Sequence, residues 1–201
     1  MTYFFVDFQG FYDLEGNLVV KELCILNSDD TFFHHTIYNT PKNCILPNSQ
    51  IHIHNKYARS NRWLTSHFHH LNINDGEREY YLILSDMQKI LKHKPVAIFT
   101  CGLPKVQLIQ ALLTNNHKPW NGVNMLYNIN VGIPIVDLTN EYSTNNCFDD
   151  YEYLSFPNLN YLFDKYFKYS FSNNCIYHAS RHCALFNANL LRLHVNVVSH
   201  Q

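Results

Sequence analysis

The chain has 201 residues, of which 46% are hydrophobic and 15% charged, with a formal net charge of -1 when histidine is neutral. That length and apolar share are those of one domain with its own core, and they exclude a disordered chain. The near-neutral balance excludes a strong overall field toward nucleic acid or an anionic membrane, although 13 histidines can turn a local face positive near neutral pH.

TYFFVDFQGF (2–11) is an apolar, aromatic run closing on Gly10 and predicts a first strand. LEGNL (14–18) supplies a turn, VVKELCIL (19–26) a second strand, NSDD (27–30) the next turn and TFFHHTIYN (31–39) a third strand. Short turn-rich spacers of this kind favour an antiparallel meander. Two prolines mark 40–49 as loop. A short helix is expected over 58–68, followed by irregular chain. Within 78–94, Tyr81, Ile83, Leu84, Met87, Ile90 and Leu91 share one broad face, which predicts an amphipathic helix. PVAIFTCG (95–102) reads as a buried strand. Residues 104–116 read as a helix with Pro104 in its first turn, and 128–138 hold the expected fifth strand. Two more helices are expected over 158–170 and 182–198. The start of the chain lacks the basic n-region of a secretory signal, and no apolar run approaches the ~20 residues a membrane span needs. The six cysteines then read as reduced thiols of a cytoplasmic or nuclear protein.

The stretch CIYHASRHCALFNA (175–188) admits three readings. Cys175, His178 and Cys183 have a spacing suited to metal; HCALFNA is similar to the closing motif of exonuclease sites; or the stretch simply opens a core helix. Three hairpin-linked strands, then helix, strand, helix and strand, then helices, resembles the ribonuclease H-like fold: α/β, a mixed five-stranded sheet flanked by helices, here one domain over 1–201. Within that fold the residues resemble DEDDh exonucleases. Asp7 and Gln9 stand where the first strand of that family carries its D-x-E, and His182 and Asn187 stand where its last helix carries His and Asp. Two-metal chemistry needs several carboxylates, because hard divalent cations demand anionic oxygens. Here Gln9 and Asn187 replace two of them, and the middle region, 101–114, has no acid and carries Lys105. Asp7, Gln9, His182 and Asn187 are therefore read as remnant positions, with two-metal exonuclease activity unexpected; Asp7 also reads as a solvated strand-end residue.

With Glu22 added, the order Glu, then Cys-x2-His, then Cys-Ala-Leu resembles the Maelstrom domain, a ribonuclease H-like domain of the piRNA pathway. The resemblance implies a structural zinc ion held by Glu22, Cys175, His178 and Cys183, a closed four-coordinate site stapling the last helix to the second strand. A second metal site among the HH pair His34 and His35, His52, His54, His67, His69 and His70 is a further expectation set against alternate spacing, which spreads them along extended chain.

Lys56, Arg59 and Arg62 lie beside Tyr57 and Trp63, and cations interleaved with aromatics suit single-stranded RNA. Lys105 adds attraction for phosphate at the remnant cleft, while Trp63 itself reads more readily as a core residue. The Maelstrom resemblance implies a zinc-stabilised, catalytically degenerate domain that binds single-stranded RNA in small-RNA silencing or transposon control, with silencing proteins as further partners. Two alternatives stand beside it: a metal-independent RNA endonuclease, and a protein-interaction scaffold, viral or transposon-derived, acting on silencing factors. Neither a membrane nor a small-molecule substrate is expected.

Overall fold

The aromatic run near the start of the chain becomes the central strand of a mixed sheet. The computed structural model describes residues 1–13, 16–41, 57–114, 132–139 and 183–198. Strands β1 (Tyr3–Tyr12), β2 (Leu18–Asn27), β3 (Phe33–Ile37), β4 (Ala97–Thr100) and β5 (Ile135–Asp137) lie in the order β3-β2-β1-β4-β5. β2 runs antiparallel to both β1 and β3, whereas β4 is parallel to β1 and β5 to β4. The chain is thus a single α/β domain with helices on both faces of the sheet.

Alternation along β1 explains why its sequence is apolar almost throughout. Phe4, Val6 and Phe8 enter one core with Leu23, Ile25 and Ile98, closed by helices α2 (Ile83–Gln88) and α3 (Leu103–Leu113). Phe5 enters the opposite core with Cys24 and Leu26, closed by α4 (Ala184–Val198). A strand buried on both faces has no solvated side to mark with polar residues. Asp7 and Gln9 share the α4 face by the same two-residue period, and they are buried there.

A register shift between Gln9 and Gly10 marks a β-bulge. A Cβ on Gly10 would stand 2.1 Å from the Val19 carbonyl oxygen, so only glycine fits this close approach. Beyond the bulge Phe11 joins a separate small cluster with Ile37 and Leu71.

The helix expected over 78–94 is broken. Residues Tyr80–Leu82 and Lys89–His93 are 3-10 turns flanking α2, and Lys94 ends the run in the left-handed region at φ 47°. Three residues per turn, in place of 3.6, rotates the ends of the apolar stripe out of register. Ile83, Met87 and Ile90 are fully buried, but Tyr81 is 61% exposed and Leu91 is exposed as well. The helix expected over 58–68 is present across that span, though not uniform: α1 (Ala58–Trp63) continues directly into one π-type turn, Leu64–Phe68. The expected helix at 158–170 and all but the start of the 40–49 loop lie outside the described residues.

Two buried charges fasten the periphery to the sheet. Asp86 of α2 accepts hydrogen bonds from Arg78 Nε and Nη2 at 2.6 and 2.7 Å, Lys89 Nζ at 2.8 Å and the Tyr38 hydroxyl at 2.8 Å. His34 Nε2 approaches the same carboxylate at 3.5 Å. Burial pushes the Asp86 carboxyl up, and its cationic and hydroxyl donors outweigh that and hold it well below the usual carboxylate range. Lys21, fully buried, donates to Thr40 Oγ1 at 2.9 Å, to the Ile73 carbonyl at 3.0 Å and to the Asp75 carbonyl. Burial lowers its ammonium to about 8.

Candidate metal centre and remnant cleft

The polar side chains beneath the N-terminus of α4 come from three adjacent strands. In the sheet Asp7 pairs with Cys24 and Cys24 with His35, while Gln9 pairs with Glu22. Residues two apart on a strand share a face, so Glu22 and His35 become diagonal neighbours. Cys183 and the first turn of α4 lie directly over them.

Glu22 is fully buried. Its Oε1 lies 2.8 Å from His35 Nε2 and accepts from Cys183 Sγ at 3.0 Å, and its Oε2 accepts the Ala184 backbone N–H at 3.0 Å. A carboxylate against the N-terminal amides of a 15-residue helix also meets the positive end of the helix dipole. Burial opposes protonation of His35, but hydrogen bonds to Cys183 and Glu22 outweigh it and raise the imidazole from 6.5 to about 9.

One donor atom each from Glu22, His35 and Cys183 lies within 4.8 Å of the others. Tetrahedral ligands of one ion with bonds of 2.0–2.3 Å stand roughly 3.5 Å apart, so a single ion fits among them after small outward shifts of Glu22. A thiolate, an imidazole and a carboxylate form a borderline-soft donor set, unsuited to magnesium or calcium. The cluster is buried beneath α4, which suits a structural ion and leaves no approach for substrate.

Two of the four expected ligands, Glu22 and Cys183, are therefore brought together; Cys175 and His178 lie outside the described residues. The imidazole in contact is His35, which the sequence reading weighed only within the HH pair for a second site and not as a partner of Glu22. Its one signal was position: β3 follows β2 through a tight turn, and an odd-numbered β3 histidine shares the Glu22 face once the register is known. Apart from His35, the histidines weighed for a second site do not gather among the described residues. His34 faces Asp86, and buried His69 bonds the Gly10 carbonyl and the Leu71 N–H. His67 stacks on Trp63 and His70 is exposed; His52 and His54 lie outside the described residues.

Three of the four positions read from the sequence as nuclease remnants, Asp7, Gln9 and Asn187, also come together. Asp7 is 1% exposed, which corrects its reading as a solvated strand-end residue. Its Oδ1 accepts from Lys105 Nζ, and its Oδ2 accepts from Asn187 Nδ2 at 3.0 Å and Gln9 Nε2 at 3.3 Å. Burial raises the Asp7 carboxyl, opposed by Lys105. The group lies between β1 and β4, parallel neighbours whose onward connections leave in opposite directions, the place where open α/β sheets form a ligand crevice. His182 lies outside the described residues. Asp137, at the end of β5, is a nearby acid the sequence reading passed over. Its Oδ1 accepts from the Gly102 N–H at 2.8 Å and from the Thr139 N–H and hydroxyl at 2.9 and 2.6 Å, so it braces the turn into α3.

Arg59 and Arg62 are exposed on α1, a helix with no buried residue. Trp63 is 53% exposed, which corrects its reading as core. Its ring stacks on His67 at 6.1 Å and on Phe68 at 5.9 Å, while Tyr12 and Tyr57 pair at 5.5 Å. Lys56 lies outside the described residues, and Lys105 belongs to the Asp7 pocket. Among the described residues no helix is long and apolar enough to cross a membrane. Comparison with known protein families and with curated proteins finds no sequence match to this chain.

Proposed function

We propose that this chain is a catalytically degenerate, zinc-stapled domain of ribonuclease H-like type that binds single-stranded RNA and, like the Maelstrom domain it resembles, serves small-RNA silencing or transposon control. The observation that carries the reading is the Asp7 pocket. At the first-strand position of the nuclease pattern one buried carboxylate is met by an ammonium and two amides, and among the described residues no second carboxylate bonds this group as a pair of metal ions would require.

Three further features support it. Only β2 runs against the other four strands in the order β3-β2-β1-β4-β5, the arrangement expected of a ribonuclease H-like sheet. Glu22 and Cys183, both drawn from the Maelstrom pattern, meet in one buried cluster whose donor set suits zinc. On the surface, Arg59 and Arg62 flank an exposed tryptophan, the combination that stacks unpaired bases beside a cationic backbone contact.

The test is fluorescence anisotropy of the full chain with labelled single-stranded RNA across a salt series. The reading expects affinity that falls as salt rises, because bound cations release counterions from the phosphates. Losing one stacked base costs about 1–3 kcal/mol, so Trp63→Ala is expected to weaken binding roughly five- to hundredfold. RNA affinity indifferent to salt and to Trp63 overturns the RNA assignment. Capture of silencing proteins that survives nuclease treatment supports the scaffold alternative in its place.

A further inference from the structure

We infer that the Lys105 ammonium is the resident cation of the Asp7 pocket, standing where a divalent ion would bind, so that the pocket is closed to divalent metals and opens to one when Lys105 is shortened. The inference concerns which cation the crevice accepts and does not depend on RNA binding or on zinc.

Both oxygens of Asp7 are engaged. Oδ1 meets Lys105, and Oδ2 meets two amide NH2 groups, those of Asn187 and Gln9. An incoming cation would have to displace the ammonium on one side and face two donors on the other. The ammonium is held in place from behind. Lys105 lies in the first turn of α3, whose start is braced by the Asp137 bond to the Gly102 N–H, and its Nζ lies 5.6 Å from the Phe8 ring centroid. Of the other described carboxylates around this crevice, Glu22 is committed to His35, Cys183 and the Ala184 N–H, and Asp137 to the Gly102 N–H and Thr139, so neither stands ready as a second ligand.

Electrostatics decide between the two cations. Like charges repel strongly where water is displaced, so a divalent ion cannot share this buried carboxylate with Lys105. A divalent ion also requires several oxygen ligands; among the described residues the pocket supplies the Asp7 carboxylate and, once the ammonium is gone and the amides turn, the side-chain oxygens of Asn187 and Gln9. An ammonium requires only acceptors, and one carboxylate is enough. The Lys105 side chain is 22% exposed and covers an Asp7 that is 1% exposed, so the ammonium stands between the carboxylate and solvent.

The experiment measures manganese binding by the loss of the free-ion paramagnetic resonance signal, on the full chain with one equivalent of zinc present to occupy the Glu22 cluster. Three proteins are compared: wild type, Lys105→Ala, and Lys105→Ala with Asn187→Asp. The inference expects no stoichiometric binding by wild type, measurable binding by Lys105→Ala, and one ion per chain in the double variant at an affinity at least roughly tenfold above wild type. Adding Asp7→Asn to the double variant is expected to abolish that binding. Circular dichroism confirms folding, and Lys105→Gln, which keeps most of the side-chain stem, replaces the alanine variant if that one unfolds. Equal manganese affinity in wild type and variants overturns the inference, and so does a folded set in which none binds.

Discussion

Replacing Glu22 with glutamine keeps the shape of the side chain and removes its charge from the centre of the α4 clasp. In the metal-free protein His35 is held protonated up to about 9, against 6.5 for an ordinary imidazole. At ~1.4 kcal/mol per pH unit, that interaction stabilises the fold by roughly 3 kcal/mol, an order-of-magnitude value for a buried coupled group. The size agrees with the ~3–5 kcal/mol lost when one partner of a buried charge pair is removed. Because the folded pKa is raised, the contribution is complete below about pH 6.5 and is lost as pH rises through about 9. Urea denaturation in chelator should therefore find Glu22→Gln about 3–5 kcal/mol less stable than wild type at pH 6, with most of the gap gone by pH 9.5. In the presence of zinc the sign of the pH effect reverses, since an imidazole and a thiol must lose their protons to bind the ion. A loss under about 1 kcal/mol at pH 6, or a gap that does not change with pH, would refute the assignment of Glu22 and His35 as a charged buried pair.

Asp86→Asn should cost about 3 kcal/mol at neutral pH, measured by urea denaturation, since it strips a fully buried carboxylate from Arg78, Lys89 and Tyr38. The folded carboxyl is depressed, so its stabilisation is present above about pH 4 and is lost as pH falls further; the wild type and variant should converge in acid. Gly10→Ala places a Cβ 2.1 Å from the Val19 carbonyl and should lower stability by about 1–3 kcal/mol, with a shift in the melting temperature as readout. On the proposed zinc staple, native mass spectrometry should find one zinc per wild-type chain and well below that for Cys183→Ser; equal metal content in the two would refute Cys183 as a ligand. Trp63→Ala, on an exposed helix, should change stability by less than about 0.5 kcal/mol while weakening RNA affinity, so the two readouts separate surface from core.

The strands were legible because burial and period act locally. The apolar, aromatic run over 2–11 and the turn residues at 27–30 mark β1 to β3 to within a few residues whatever the rest of the chain does. The break at 78–94 was not legible. Apolar spacing is compatible with one continuous helix, and only packing beneath Asp86 and against the sheet reveals the 3-10 turns that expose Tyr81 and Leu91. Trp63 was misread for the same reason: its size argues for the core, while the six-residue helix that carries it buries nothing.

The sequence alone determined the strand set, the buried character of the sheet and the amides, in place of acids, at positions 9 and 187. It also singled out Glu22 and Cys183 by their resemblance to a known pattern. Tertiary structure decided what those residues meet. His35 joins Glu22 through cross-strand register, and Lys105 reaches Asp7 from a helix 98 residues away. Side-chain period is a property of one strand, but contact across strands and between sheet and helix depends on register and docking. A local pattern carries no information about either.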